Sequence, residues 1–388
     1  MGKFSKYIGL DTHKDTIAVS VADAAGGSAR FFGEVANTPA AIDKLIKRLS
    51  PDGEVLPFCY EAGPCGYGLY RQITQSGHDC SVVAPSLIPR RPGDRIKTDR
   101  RDSGALARLH RAGELTPVWV PDEAQEAMRD LTRAREDVKH LERQSKQRLN
   151  AFLLRHGQRY TAGKSKWTQA HWRWLERIRF SQPAQQIVLQ EYIDSVQHLT
   201  RRVAELEREM AGALPEWRLA PLVEALMALR GCRLITAMTV VAELGDISRF
   251  DSPRQLMAFL GLVPSESSSG PNRRRGGITK TGNGHVRRVL IEAAWCYRFP
   301  ARKSATLQRR AERTSLAVQA IAWKAQKRLC ARFRHLNHRG LMQVKITTAI
   351  ARELCGFIWA IACEVMAQQY GLVGDDVAMT SAPLTNRS

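Results

Sequence analysis

Between Leu189 and Met210 the chain repeats one pattern. Leu189, Tyr192, Val196, Leu199, Val203, Leu206 and Met210 follow one another at alternating steps of three and four. An a/d seam kept up over three heptads leaves little choice but a long helix packed along its length on another helix. A partner precedes it. The stretch from Ala124 to Leu154 contains no Gly or Pro and carries a weaker seam through Ala127, Leu131, Ala134, Val138, Leu141 and Ser145. Together the two predict a coiled-coil arm over residues 119–215 through which copies of the chain associate. The alternative is a hairpin closed within one chain.

The arm divides the chain into unlike parts. Ahead of it, residues 1–118 read as α/β. "YIGLDTH" (Tyr7–His13), "TIAVSVAD" (Thr16–Asp23) and "ARFFGEV" (Ala29–Val35) are strand-like and joined by short turns. A capped helix follows at Thr38–Leu49, then a strand at Val55–Glu61, a helix at Gly66–Gly77 and a strand at Cys80–Pro85. Three hairpin-connected strands and then alternating helix and strand is the order of a ribonuclease-H-like nuclease domain. Behind the arm, residues 216–370 read as mostly helical, with helices near His285–Tyr297, Ala305–Leu336 and Lys345–Tyr370. "SESSSGPNRRRGG" (Ser265–Gly277) interrupts them and has the composition of a loop. Residues 371–388 read as a disordered tail.

Charge narrows the partners. Lys and Arg number 59 against 38 Asp and Glu, a net charge of +21, which repels itself unless a polyanion is bound. Nucleic acid is the first candidate. A membrane is not expected, because no apolar run, "CGFIWAIAC" (Cys355–Cys363) included, approaches the roughly 20 residues of a spanning helix. Arg298 to Arg339 holds twelve basic residues and a single acid, Glu312, a bias that suits phosphate contact. At the arm's tip, Arg155–Phe180 interleaves cations with Tyr160, Trp167, Trp172, Trp174 and Phe180; Lys166, Trp167 and Trp172 are candidate RNA contacts, with packing of the tip the competing reading. The eight cysteines form no C-x-x-C pair and read as reduced, mostly buried thiols. The N-terminus has no signal-peptide layout, so a cytoplasmic, nucleoid-associated prokaryotic protein is expected.

The acids are few and placed. Asp99 and Asp102 stand three apart in "RRPGDRIKTDRRDSGALARLHR", on one face of an opening helix, among Arg95, Lys97, Arg100 and Arg101. Alone they suit caps and salt bridges. Asp11 ends the first strand and Glu61 a later one, and in a ribonuclease-H-like sheet those ends are neighbours. Four carboxylates meeting in a basic protein suit Mg²⁺, or Mn²⁺, acting on a phosphodiester.

Five stretches in this order, "IGLDTHKDTIAV", "CYEAGPCGYGLYRQI", "IKTDRRDSGALARL", "LMAFLGLVPSESSSG…GGITKTGNGHVRRVLIEAAW" and "IARELCGFIWAI", resemble the DEDD insertion-sequence transposases of the IS110 family, especially its IS1111 group. The likeness runs from Tyr7 to about Tyr370. It implies a Holliday-junction-resolvase-like domain using Asp11, Glu61, Asp99 and Asp102, and a C-terminal transposase domain whose nucleophile is Ser269, just before Gly270. It further implies a dimer or tetramer with sites composed in trans, and recombination of donor and target DNA guided by a structured bridge RNA. A serine hydroxyl beside a divalent cation can attack a phosphodiester and hold the strand as a phosphoserine until it is rejoined. Arg273, Arg274, Arg275 and Lys280, with Arg287 and Arg288, are then candidate phosphate contacts. The rivals are a junction nuclease using the carboxylates and water, and a binding protein without catalysis.

Overall fold

The computed structural model describes residues 4–89, 98–163, 165–269 and 272–369. Contacts divide the chain into two units, Met1–Pro121 and Asp122–Ser388.

The first unit is a five-stranded sheet in the order β3-β2-β1-β4-β5. Its strands are β1 (Lys6–Thr12), β2 (Thr16–Asp23), β3 (Arg30–Ala36), β4 (Pro57–Glu61) and β5 (Asp79–Val83). The first three pair antiparallel, while β4 runs parallel to β1 and β5 parallel to β4. Helices α1 (Pro39–Leu49), α2 (Gly68–Gln75) and α3 (Asp99–Arg111) complete it, an arrangement compatible with a ribonuclease-H-like domain. Ile8, Leu10, Ile17, Val19, Phe58 and Tyr60 are the centre of its core, with α1 laying Ile42, Leu45 and Leu49 against them. β1, β2 and β4 are apolar nearly throughout because the central strands of such a sheet are covered on both faces.

The second unit begins with α4 (Glu123–Arg155), α5 (Gln169–Arg177) and α6 (Pro183–Ala213). α4 and α6 pack antiparallel on each other. Arg135 pairs with Glu207, Thr200 donates to Glu142 (3.0 Å), and Ser145 bonds Ser195 (3.2 Å), so rising numbers on one helix meet falling numbers on the other. Within the chain, this is a helical hairpin. On α6 the expected seam is real: Leu189, Val196, Val203 and Met210 are buried and Tyr192, Leu199 and Leu206 half-buried. The α4 seam is corrected. Ala127, Ala134 and Leu141 face solvent, and the buried line runs through Gln125, Met128, Thr132, Val138, Glu142, Ser145, Leu149 and Phe152. Half of it is polar, which is why apolar periodicity did not find it. Gln125 Nε2 donates to the carbonyls of Val241 and Ala242 (2.7 and 2.6 Å), so its buried amide nitrogen is bonded, while Oε1 has no partner among the described residues.

The remainder is helical: α7 (Ala220–Leu226), α8 (Leu234–Leu244), α9 (Pro253–Phe259), α10 (Gly284–Ala294), α11 (Ala305–Ala311), α12 (Leu316–His338) and α13 (Gln343–Gln369). The helix expected over Ala305–Leu336 is thus two, broken before Ser315, which caps α12. α13 corrects the reading of apolar runs, being long and apolar enough to cross a membrane by length and composition. Here it is the core helix of the unit: Ile346, Ile350, Leu354, Ile358 and Ile361 are buried, and the helix packs on α7, α9, α10 and α12. The stretch expected to be a loop is a two-stranded hairpin, β6 (Pro264–Ser269) and β7 (Asn272–Ile278). The expected tail, residues 371–388, lies outside the described residues.

Candidate active site

Asp11 is the next-to-last residue of β1. Leu10 is in register with Tyr60 on the parallel β4, so Asp11 and Glu61 end neighbouring strands side by side. The first turn of α3 carries Asp99 and Asp102, and Thr98 caps it by accepting from Arg101 N (3.4 Å). What brings that turn down to the strand is Gly9. A Cβ there would run into Ser103 O and Ala107 N, so α3 crosses β1 at a distance only glycine allows. Ser20 and Ser103 share a buried hydroxyl bond of 2.9 Å, and Cys59 Sγ reaches Leu106 O at 3.6 Å, holding α3 along its length.

The result is a knot of donors. His13 Nε2 lies 3.6 Å from Asp11 Oδ2 and 3.4 Å from Asp99 Oδ1. Among the described residues, donor atoms of Asp11, His13 and Asp99 all lie within 4.8 Å of one another; Glu61 and Asp102 are not in that group. Oδ2 of Asp11 and Oδ2 of Asp102 are shielded from solvent. Carboxylate oxygens shared with one imidazole nitrogen fit a divalent cation, and the nitrogen favours Mn²⁺ over Mg²⁺ as a ligand. His13 was missed by sequence reasoning. Its signal was there: at two residues from Asp11 it falls on the same side of the extended chain. Arg100 lies over the Phe31 ring (5.4 Å), and Arg101 is exposed beside it. Arg95 and Lys97 lie outside the described residues. All eight cysteines are free, and burial pushes the thiols of Cys80, Cys232 and Cys355 up to about 12, which keeps them protonated.

In the second unit the β6–β7 hairpin pairs Ser267 with Arg274, Ser268 with Arg273 and Ser269 with Asn272. Of Ser269 and Arg273 only the backbone is described, and Gly270 lies outside. Ser268 donates to Glu266 (3.0 Å), which also faces Arg275 (3.5 Å). Arg274, Arg275 and Lys280 are exposed. The neck of the hairpin is tightly built. Lys280 N donates to Gly261 O (3.1 Å), and Arg287 Nη1 donates to Leu260 O and Thr281 O (2.9 and 2.8 Å). Gly261 and Gly282 have φ of +62° and +65°, and a Cβ on either would strike the opposite leg. Lys280 itself adopts φ of +57°, an unfavourable value for a residue with a side chain.

Below the neck is a chain of ion pairs. Glu243 is buried, takes both nitrogens of the Arg133 fork (2.7 and 3.0 Å) and accepts from Asn283 Nδ2 (2.7 Å), while Asn283 Oδ1 caps α10. Burial raises the Glu243 pKa, but the bonds from Arg133 and Asn283 outweigh it and the net shift is downward. Arg288 pairs with Glu136 and Glu292, and His285 with Glu136 at 2.9 Å. Arg287 and Arg288 therefore use their guanidinium groups inside the unit. At the arm tip, Trp167 and Trp172 pack on a small core of Leu149, Phe152, Leu175 and Leu189, Lys146 covers the Trp167 ring, and Lys166 donates to Asn150 (2.8 Å).

A mixed five-stranded sheet with acidic residues at its strand ends, followed by a largely helical unit, is the arrangement compatible with one class, the DEDD transposases. Residues 8–157 match a DEDD transposase family profile described as "Transposase", and residues 223–308 match "Transposase IS116/IS110/IS902 family". The transposase-named protein y4qE of Sinorhizobium fredii is 52% identical over 359 residues, 92% of this chain and 88% of that one. The transposase for insertion sequence element IS1533 of Leptospira borgpetersenii is 30% identical over 336 residues, 85% of this chain and 96% of that one. The transposase for IS1111A of Coxiella burnetii is 42% identical over a shorter 71 residues, 18% of this chain and 20% of that one. The chain belongs to the IS110 family of insertion-sequence transposases, enzymes that cleave and rejoin DNA.

Proposed function

We propose that this transposase joins strands by transesterification through Ser269, with Asp11, Glu61, Asp99 and Asp102 holding the divalent cation, Mg²⁺ or Mn²⁺, and a structured bridge RNA choosing donor and target DNA. The observation that carries the reading is the convergence of Asp11, His13 and Asp99 within 4.8 Å at the ends of adjoining elements. A divalent cation bound there supplies charge that polarises the phosphodiester and favours an alkoxide over a hydroxyl. The protein's own residues do the rest. Asp11 and Asp99 hold their carboxylates against His13; the hairpin delivers a serine; the exposed Arg274, Arg275 and Lys280 hold phosphates near it. In the step, Ser269 Oγ loses its proton and forms a bond to phosphorus. The bond from phosphorus to one deoxyribose oxygen breaks, and that oxygen leaves as a hydroxyl after taking up a proton. The reverse attack by another strand's hydroxyl restores Ser269 and rejoins the DNA. Association through the α4–α6 arm, as a coiled coil, and the division into 1–118, 119–215, 216–370 and 371–388 belong to the same reading.

The competing reading, hydrolysis of junction DNA, is favoured by one fact: the three converging donors all lie in the first unit. A denaturing gel separates the two. Wild-type protein incubated with cognate DNA and Mg²⁺ or Mn²⁺ is expected to form a covalent protein–DNA band that Ser269→Ala and Asp11→Asn both abolish. Cleavage that persists in Ser269→Ala while Asp11→Asn is dead would establish the junction nuclease. Guidance is tested by sequencing RNA that copurifies: one defined structured species is expected, and random fragments would sink it.

A further inference from the structure

The arm tip contains a cavity of about 400 Å³, within the roughly 300–1,000 Å³ of small-ligand sites. Tyr160, His171 and Trp174 line it on one side, and Lys166, Arg159, Asn150 and Gln158 supply cations and amides. No carboxylate is among its lining residues. The aromatic rings do not stack face to face. Tyr160 and Trp174 are tilted by 56° with centroids 5.4 Å apart, and Tyr160 meets His171 edge-on at 4.9 Å. Tyr160 and Trp174 are only half-buried. His171 is fully buried, yet neither ring nitrogen has a hydrogen-bond partner among the described residues. A buried polar group in that state calls for a partner.

We propose that this cavity receives a single unstacked nucleobase, with the adjoining phosphate held by Lys166 and Arg159. Each part of the lining answers one part of a nucleotide. Tilted, half-exposed aromatic faces offer a planar heterocycle the stacking that helical neighbours otherwise supply. The amide of Gln158 matches the donors and acceptors of a base edge, as in enzymes that read an extruded base, while Asn150, bonded to Lys146 O and Lys166, holds the lysine at the rim. Two cations in a lining whose described residues include no carboxylate attract the backbone. Trp167, Trp172 and Trp174 all pack on the tip core; of the three, Trp174 also lines the cavity, together with Tyr160. The inference rests on the reading of this protein as one that handles nucleic acid, not on the serine chemistry.

The test uses full-length protein in EDTA, so that no strand is cut. The probe is a labelled single-stranded oligonucleotide of mixed sequence, made as RNA and as DNA, with each position in turn replaced by an abasic unit; binding is read by fluorescence anisotropy. One abasic position is expected to weaken binding roughly tenfold or more in at least one of the two probes, which also identifies the source of the base. Trp174→Leu and, separately, Tyr160→Leu are expected to weaken binding of the intact probe and to level the scan. Lys166→Gln is expected to weaken intact and abasic probes alike and to flatten the salt dependence. A scan that is flat in wild type for both RNA and DNA, or unchanged in the two aromatic variants, overturns the proposal. A flat scan beside an intact covalent band removes the pocket alone; a base-dependent scan without a covalent band removes the transesterification alone.

Discussion

Gly9 shows how much of the site rests on one missing side chain. Its hydrogen lets Ser103 and Ala107 of α3 lie on β1, and α3 carries Asp99 to within reach of His13 and Asp11. Gly9→Ala is therefore expected to cost about 1–3 kcal/mol by overpacking, read as a lower urea midpoint, and to weaken Mn²⁺ binding as the helix lifts. His13 makes a sharper test, because it is exposed and its loss leaves the core intact. His13→Gln is expected to keep the unfolding midpoint and to lower Mn²⁺ affinity by at least the roughly 10–100-fold that outer-shell partners cost, while Mg²⁺ affinity falls less. Calorimetric titration of full-length protein with each metal measures this, and equal losses for both metals would remove His13 from the site. At this scale the placement of the carboxylates was readable from the sequence: Asp11 and Glu61 stand at the ends of neighbouring strands, and Asp99 and Asp102 in the first turn of α3. His13, two residues from Asp11, went unread because only the close approach of α3 at Gly9 brings Asp99 to the same ring.

Elements were legible where apolar periodicity specifies them, and misread where polar residues do the packing. α6 shows its seam because leucines and valines line it. α4 hides its own because Gln125, Thr132, Glu142 and Ser145 are buried with partners. Glu142 is the clearest case. Burial would raise its pKa, but hydrogen bonds from Lys139, Lys146 and Thr200 overcome that and bring it down to about 2. A carboxyl lowered in the folded chain binds its proton more weakly there than when unfolded. Its stabilisation is thus whole above the ordinary carboxylate range and is lost as pH falls from about 4.5 toward 2. Glu142→Gln is expected to reduce stability at neutral pH by about 1–3 kcal/mol and to flatten the acid limb of a melting-temperature profile. An unchanged limb would show that the α4–α6 pair does not depend on this charge. The serine hairpin was misread for the opposite reason. Ser, Gly and Arg have poor strand propensity, but Gly261, Gly282 and Arg287 close the neck, so pairing is imposed from the base. Gly282→Ala, which would strike Phe259 O at φ of +65°, is expected to open the neck. Faster amide exchange over residues 264–278, with the rest of the unit protected, is the corresponding readout.

For the molecule as a whole, the proposed chemistry calls on carboxylates of one unit and a serine of the other. Each unit has its own core, Ile8, Leu10 and Phe58 in the first and Leu226, Val241 and Leu354 in the second. An Asp11→Asn chain therefore keeps a folded serine hairpin, and a Ser269→Ala chain keeps a folded carboxylate site. If the proposed chemistry uses a site composed from two copies, mixing the two dead variants restores it. In a two-fold dimer that exchanges subunits freely, half the dimers are mixed, and each mixed dimer has one intact site and one doubly dead site, so recovery approaches roughly a quarter of wild type. The covalent band is expected to return at about that level and to carry only the Asp11→Asn chain, since that chain alone supplies a serine. A tag of different mass on each variant reads this directly from the gel. Mixtures that stay dead after subunit exchange has been shown would place carboxylates and serine of each site in a single chain.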